Sequence, residues 1–262
     1  MTGALVVLDP LQRLGRWGLE TVSALGRFGV FLGEALFWLA IPPFKARQGL
    51  QRVWFIGFHS LSVILLTGAF TGMVLGLQGM LILQRVGSEA FVGPLVAIAL
   101  VRELGPVLAA LMVTGRAGSA LAAELGVMRI TEQIDALTVM ALNPMRYLVV
   151  PTLVAGVAAF PILSWIFDVI GIFGGYLVTV KLFGLSEGAY FGQIRAFLST
   201  TDIWVGVWKS LVFGLVVTWV ACYKGFHVGH GAEGVGRATT EAVVLASALI
   251  LVLDYFMGSV LP

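Results

Sequence analysis

Residues 101–144 read VRELGPVLAALMVTGRAGSALAAELGVMRITEQIDALTVMALNP. The stretch opens as an apolar helix with an Arg-Glu pair inside it, Arg102-Glu103, and feeds directly into a charged helical segment that cannot stay in lipid. Charge at membrane depth is costly and usually marks a pathway. A compact charged helix between two apolar spans is a natural handle for a soluble partner.

Composition carries the same message. Of 262 residues, 59% are hydrophobic and 11% charged, against about 45–50% and about 25% in soluble domains. Spans of about 20 apolar residues consume most of such a chain, so one integral, all-α membrane domain is expected. The net charge of +2 is too small to suggest nucleic-acid binding. Cys222 is the only cysteine, which excludes an internal disulfide and a thiol-based metal site. Met1 to Asp9 lack a basic leader region and a small-residue cleavage site, so the start is expected to be retained.

Before the first span, Leu11, Leu14, Val22, Leu25, Phe28 and Leu32 recur at helical spacing, with Arg13, Arg16, Glu20, Ser23, Arg27 and Glu34 on the opposite stripe. With Trp17 nearby, this helix suits the membrane surface; a cytosolic helix packed on a partner is the alternative. Pro42-Pro43 breaks it, and Lys45, Arg47 and Arg52 form a basic approach, so residues 1–52 precede a membrane domain at 53–262. Five spans are expected at 53–83, 93–115, 147–180, 205–222 and 240–260. Each is helical, because an open strand leaves its backbone unsatisfied in hydrocarbon. Arg102-Glu103, Asp168, Lys209 and Asp254 fall within or near the ends of the last four.

Five spans place the termini on opposite sides. An N-terminus inside puts six basic residues, then Arg116, Arg129, Arg146, Lys224 and Arg237, on the cytoplasmic side, leaving Arg85, Lys181 and Arg195 outside. That bias favours a cytoplasmic N-terminus, with segment 117–144 and a Gly/His-rich loop at 223–238 on the same side. Gly68, Gly72 and Gly76, with Gly79 a turn further, permit close helix approach, either in a homodimer interface or groove wall or in ordinary packing within the chain. Gly171 and Gly175 invite the same two readings.

Neighbours on a helix point about 100° apart, so Arg102 and Glu103 each need a partner. Arg102 lies fourteen residues before Arg116, about 21 Å along the axis. If Arg116 marks the inner boundary, Arg102 sits in the outer half of the membrane, and Pro106 opens the helix at that depth. A guanidinium there suits an anionic headgroup, with acyl tails along span one. Pairing with other intramembrane charges, such as Asp168 or Lys209, is the alternative.

Between spans two and three, Glu124, Arg129, Glu132, Gln133 and Asp135 accompany an apolar stripe of Ile130, Ile134, Leu137 and Ala141, ended by Asn143-Pro144. The helix either inserts into a soluble subunit or lies on the membrane; its acidic residues disfavour the second. No phosphate-cradling G-x-x-x-x-G-K-[ST] occurs, His59, His227 and His230 lack companions at metal spacing, and nothing resembles a nucleophile elbow.

GMVLGLQG at 72–79, LVRELGPVLAALMVTGRAGSALAAELGVMRITEQIDAL at 100–137, NPMRYLVVP at 143–151 and GVGRATTEAVV at 234–244 resemble the MlaE permease family of lipid ABC transporters. The resemblance covers nearly the whole chain. It implies a homodimeric inner-membrane permease of an ATP-driven phospholipid transporter of the Mla/MCE system, which maintains outer-membrane lipid asymmetry, with an interfacial N-terminal helix, five spans per protomer and a periplasmic C-terminus. It further implies two copies of a cytoplasmic ATPase that bind ATP and Mg, a small STAS-domain protein, and a periplasmic hexameric ring of MCE-domain proteins. No cofactor is expected in this chain and no bond chemistry of its own. By similarity, lipid sits in an outward-open pocket at the dimer interface, lined by Leu75, Leu77 and Gln78 and by Arg102, Glu103 and Leu104, while the coupling helix matches Ala122 to Leu137, with Glu124, Arg129, Glu132, Gln133, Asp135 and Leu137 as coupling residues. Two rivals predict otherwise. An ion-coupled carrier would relay through Glu103, Asp168 or Asp254, and a scaffold would anchor partners without transport.

Overall fold

The computed structural model describes residues 3–39, 41 and 46–260. Pro42, Pro43 and Lys45, and the side chains of Leu11, Arg13, Leu14, Arg16 and Trp17, lie outside the described residues. Eight helical stretches follow one another: α1 (Gly3–Leu39), α2 (Arg47–Val86) and α3 (Glu89–Ile130), α4 (Gln133–Val139), α5 (Met145–Leu182), α6 (Glu187–Phe197), α7 (Thr200–Phe226) and α8 (Gly231–Val260). Among the described residues there is no strand.

Six of these helices are long and apolar enough to cross a membrane, one more than the five spans expected. The additional one is Gly18–Leu39 within α1, where few charges interrupt the apolar residues. Other differences concern ends. The second span and the start of the expected coupling helix form one continuous rod in α3, and the coupling helix breaks at Thr131-Glu132 into the end of α3 and the short α4. The expected loop at 223–238 shrinks to residues 227–230, because α8 begins at Gly231. Val235 packs on Gly126 there, and this contact holds a Gly-rich segment helical. The segment between α5 and α7 contains α6, which the sequence reading left unassigned.

Hydrophobic burial gives little drive between helices surrounded by lipid, so close backbone approach and internal hydrogen bonds hold such a bundle together. The glycine stripe of α2 decides between its two readings. A β-carbon on Gly72 would overlap the backbone of Gly171, and one on Gly76 would lie 3.0 Å from the Gly175 Cα and one on Gly68 3.1 Å from the Phe167 carbonyl oxygen. The stripe is therefore the contact surface between α2 and α5 within one chain. Gly156 of α5 and Gly214 of α7 make a second close crossing, where a β-carbon on Gly214 would lie 2.6 Å from the Gly156 carbonyl oxygen. Buried hydroxyls satisfy themselves on their own helices: Thr114, Thr152, Thr179 and Thr218 donate to carbonyls one turn back at 2.7–2.9 Å.

The end of the bundle that carries residues 119–142, here the hairpin end, is fastened by charge. Arg52 of α2 makes a two-pronged pair with Glu124, at 2.6 and 2.8 Å. Arg116 donates to the Phe55 carbonyl at 2.9 Å and to Ser60 Oγ at 3.2 Å. Helix α1 joins this end through aromatic contacts, with Phe28 stacked on Trp219 at 3.8 Å and Phe31 edge-on to Tyr223. Its Val22, Leu25, Val30 and Phe37 remain exposed. At the far end, the Tyr176 hydroxyl donates to Glu187 at 2.6 Å and Lys181 lies 2.9 Å away. The Tyr176 hydrogen bond, then the Lys181 ammonium, hold the Glu187 carboxyl below its ordinary range.

Gly72→Ala is expected to force α2 and α5 apart, at a cost of about 1–3 kcal/mol or more. Gly29→Ala, whose new methyl meets nothing within 4 Å, is expected to leave stability unchanged or slightly improved. Thermal unfolding of the detergent-solubilised protein followed by circular dichroism measures both; equal melting points would refute the close-packing role of Gly72.

Candidate functional site

Helix α3 departs from α-helical hydrogen bonding at Leu100–Leu104, where one turn widens to a π-helical ring just before Gly105-Pro106. Pro106 has no N–H to give the turn behind it, and such bulges let a helix re-aim side chains. Here the widened turn aims Arg102 and Glu103 at α7. Arg102 Nη1 donates to Asp202 Oδ1 at 3.1 Å, and Glu103 pairs with Lys209.

Asp202 is positioned from below by its own helix. Ser199 and Asp202 form a reciprocal capping box at the start of α7: the Ser199 N–H and hydroxyl both donate to Asp202 Oδ2, at 2.9 and 2.8 Å, and the Asp202 N–H donates to Ser199 Oγ at 3.2 Å. One carboxylate oxygen is thus fixed by the cap and the other is free for Arg102. Lys209 lies seven residues further on, two turns along nearly the same face. Its side chain is completely buried, and its ammonium is held by Glu103 from α3 and by Asp254 from α8, the latter at 2.9 Å.

Three helices thus meet at one cluster of two cations and three carboxylates. Its members differ in access. Lys209 is sealed, whereas the side chains of Arg102 and Glu103 are 30% and 46% exposed. Lys209 is a fixed counter-ion, and Arg102 and Glu103 are the groups a ligand can reach. Arg102 spends one guanidinium nitrogen on Asp202 and presents the rest of a planar donor fork to the outside.

Of the two readings offered for Arg102 and Glu103, the pairing of Glu103 with Lys209 is present, and Asp168 takes no part. Asp202, the partner of Arg102, was missed by the sequence reading, although the pattern Ser199-x-x-Asp202 before an apolar run marks a capping box. Leu104 and Leu75 pack half-buried against the main core, while Leu77 and Gln78 face outward on α2.

The hairpin end holds the other predicted set. Arg129 pairs with Asp135 across the turn at 2.6 Å, with Glu132 at its tip in the left-handed region, φ 58°. A non-glycine residue there costs of order 1–3 kcal/mol, and such strain clusters at functional segments. Glu124 is engaged by Arg52, and Gln133 is exposed. Leu137 packs partly against a small core around Ile134, and Val139 and Met140 project outward at 89% and 69% exposure. Asn143, expected to end this helix, instead caps the next: its side-chain oxygen accepts from the Met145 N–H at 2.9 Å.

A multi-pass helical bundle with buried charge near one end and a protruding hairpin at the other has the form of a transporter's membrane subunit. The sequence profile of the family described as Permease MlaE matches residues 50–260, and the chain belongs to that family. It is 40% identical over 252 residues to a probable ABC transporter permease protein of Rickettsia felis, covering 96% of this chain and 97% of the relative. It is also 40% identical over 259 residues to the intermembrane phospholipid transport system permease protein MlaE of Haemophilus influenzae, covering 98% of each.

Lys209→Met leaves Glu103 and Asp254 facing each other without a cation and is expected to destabilise the protein by about 3–5 kcal/mol. Adding Asp254→Asn should recover part of that loss. Denaturant unfolding of the two single variants and the double variant reads the coupling; additive effects would show that Lys209 and Asp254 do not act as a pair.

Proposed function

We propose that this chain is the permease subunit of an ATP-driven phospholipid transporter, carrying lipid between the inner membrane and a periplasmic MCE-domain protein and so maintaining outer-membrane lipid asymmetry. The observation that carries the reading is the half-open charge cluster, where Arg102 keeps donor nitrogens free within otherwise apolar helices. A planar donor of this kind matches the oxygens of a phosphodiester, and apolar outer faces such as that bearing Leu77 offer contact to acyl chains. The name of the Haemophilus relative supports phospholipid as the cargo.

In this reading two copies of the chain enclose the lipid, with Arg102, Glu103 and Leu104 on one wall and Leu75, Leu77 and Gln78 on another. The hairpin end faces the cytoplasm and docks on a dimeric ATPase that binds ATP and Mg, accompanied by a STAS-domain protein. The MCE hexamer covers the opposite face. Helix α1 lies along the membrane surface, its exposed Val22, Leu25 and Val30 in the acyl boundary, which leaves five spans, an N-terminus inside and a C-terminus in the periplasm. Val139 and Met140 stand largely exposed and form the apolar tip that enters the ATPase. Hydrolysis there shifts the dimer between states that differ in affinity for lipid.

Arg102→Ala is expected to lower the phospholipid that co-purifies with the assembled complex and to slow transport, with subunit stoichiometry unchanged. Lipid mass spectrometry and a reconstituted transfer assay measure both, and full lipid occupancy in that variant would remove Arg102 from the headgroup site. Val139→Asp is expected to abolish ATPase capture in a pull-down while the variant keeps the parent's melting point, because that side chain is 89% exposed. Undiminished capture would place the ATPase contact elsewhere.

A further inference from the structure

The charges that a ligand can reach at the cluster come as one pair of opposite sign. Lys209 has no exposed surface, and the side chains of Asp202 and Asp254 are 9% and 23% exposed, so Arg102 and Glu103 are what a ligand meets. Neither is fully spent. Arg102 gives Nη1 to Asp202, and its Nη2 and Nε donate to nothing among the described residues. Glu103 holds Lys209 through Oε2, which leaves Oε1 without a donor among the described residues. That oxygen borders Gly258 of α8, where a β-carbon would lie 3.7 Å from it, so the neighbouring helix puts no side chain from this position over it.

The charge of the cluster is also unbalanced. Two cations, Arg102 and Lys209, stand against three carboxylates, Glu103, Asp202 and Asp254, which leaves one negative charge in excess. The other ion pairs among the described residues lie elsewhere. Excess charge of one sign among apolar helices is costly, and a ligand that adds to it is disfavoured. A headgroup whose only charge is its phosphate would set a second negative charge beside Glu103. A zwitterionic headgroup adds none, because its phosphate meets the unspent Arg102 nitrogens while its cation meets the unspent Glu103 oxygen.

Placement and donor chemistry narrow the cation. Arg102 and Glu103 are neighbours on the widened turn and both reach toward α7, so their unspent atoms lie on one side of α3. In an ethanolamine headgroup two carbons separate the phosphate ester oxygen from the nitrogen, a short link suited to adjacent side chains. A primary ammonium brings three N–H donors to a carboxylate, whereas the quaternary ammonium of choline has no N–H.

We propose that the open edge of the cluster selects an amine-bearing zwitterionic phospholipid, of the phosphatidylethanolamine type, with its phosphate on Arg102 and its ammonium on Glu103 Oε1. The inference rests on the reading of the cluster as a headgroup site, and it makes Glu103 the residue that sets headgroup preference. Asp254 holds Lys209 from the other side, so the buried ammonium stays paired while Glu103 engages the ligand.

The full-length protein, stripped of lipid in detergent, would be incubated with an equimolar mixture of phosphatidylethanolamine, phosphatidylcholine and phosphatidylglycerol bearing identical acyl chains. Mass spectrometry then quantifies the lipid retained by the wild type, Arg102→Ala and Glu103→Gln. Lipid lost in Arg102→Ala is the fraction held at the cluster, separated from lipid bound elsewhere on the apolar surface. In that fraction phosphatidylethanolamine is expected to exceed phosphatidylglycerol by about tenfold, at the low end of what one hydrogen bond between charged groups supplies. Phosphatidylcholine is expected between them. In Glu103→Gln, whose amide oxygen still accepts from Lys209, the preference is expected to vanish through a rise in phosphatidylglycerol. A purely structural Glu103 would instead lower all three lipids in proportion, and that outcome overturns the proposal. Equal retention of the three lipids by the wild type overturns it as well, and this readout needs no variant to fold. Undiminished lipid in Arg102→Ala removes the headgroup site itself and the preference with it, whereas Arg102-dependent lipid without preference removes the role of Glu103 alone.

Discussion

An ammonium with no exposed surface, deep among apolar helices, is the constraint on which the upper part of this bundle depends. Lys209 is satisfied there by the carboxylates that α3 and α8 each deliver to it. That requirement fixes the rotation of α7 against both neighbours, since turning any of the three would strand a charge. It also explains why α3 widens its turn at Leu100–Leu104: an uninterrupted α-helix would aim Arg102 and Glu103 differently. The capping box of α7 then fixes Asp202 for Arg102. The charge cluster is an organising device whose open edge carries Arg102 and Glu103.

The opposite end and the middle are held by different means. Glycine-to-backbone contacts bring α2 onto α5 and α5 onto α7, and threonines return their protons to their own helices. At the hairpin end, Arg52 with Glu124 and Arg116 with the Phe55 carbonyl tie α2 to α3. The hairpin beyond is left exposed, with a strained turn at Glu132 and apolar side chains at Val139 and Met140.

Much of this was legible in the residues themselves. Long apolar runs gave the helices, and the Arg-Glu pair and the charged hairpin gave the two places of interest. What escaped reading was set by distant contacts. Asp202 stands a hundred residues from Arg102, and nothing local tells which of the carboxylates will meet it. Residues 231–238 contain three glycines and read as loop, but packing of Val235 on Gly126 overrides that weak preference. The glycine stripe of α2 had the right chemistry for either a second copy or its own chain, and only the position of Gly171 and Gly175 opposite it decides. Asp168 was a candidate ion-pair partner, yet its carboxyl lies against Gly105 apart from the cluster, a placement set by the α3–α5 contact and not by spacing.

The contact between Gly72 and Gly171 also bears on movement. Two rods whose main chains touch cannot slide or roll past each other without first separating, so α2 and α5 travel as one plank. Helix α8 packs on the bundle along one stripe, Val235, Ala238, Ala242, Ala246 and Ile250, and is fastened by charge at Lys224–Glu241 and Asp254–Lys209. The pair α2 and α5, so joined, is displaced only as a unit, and any change of shape in the bundle has to be taken up at its other contacts.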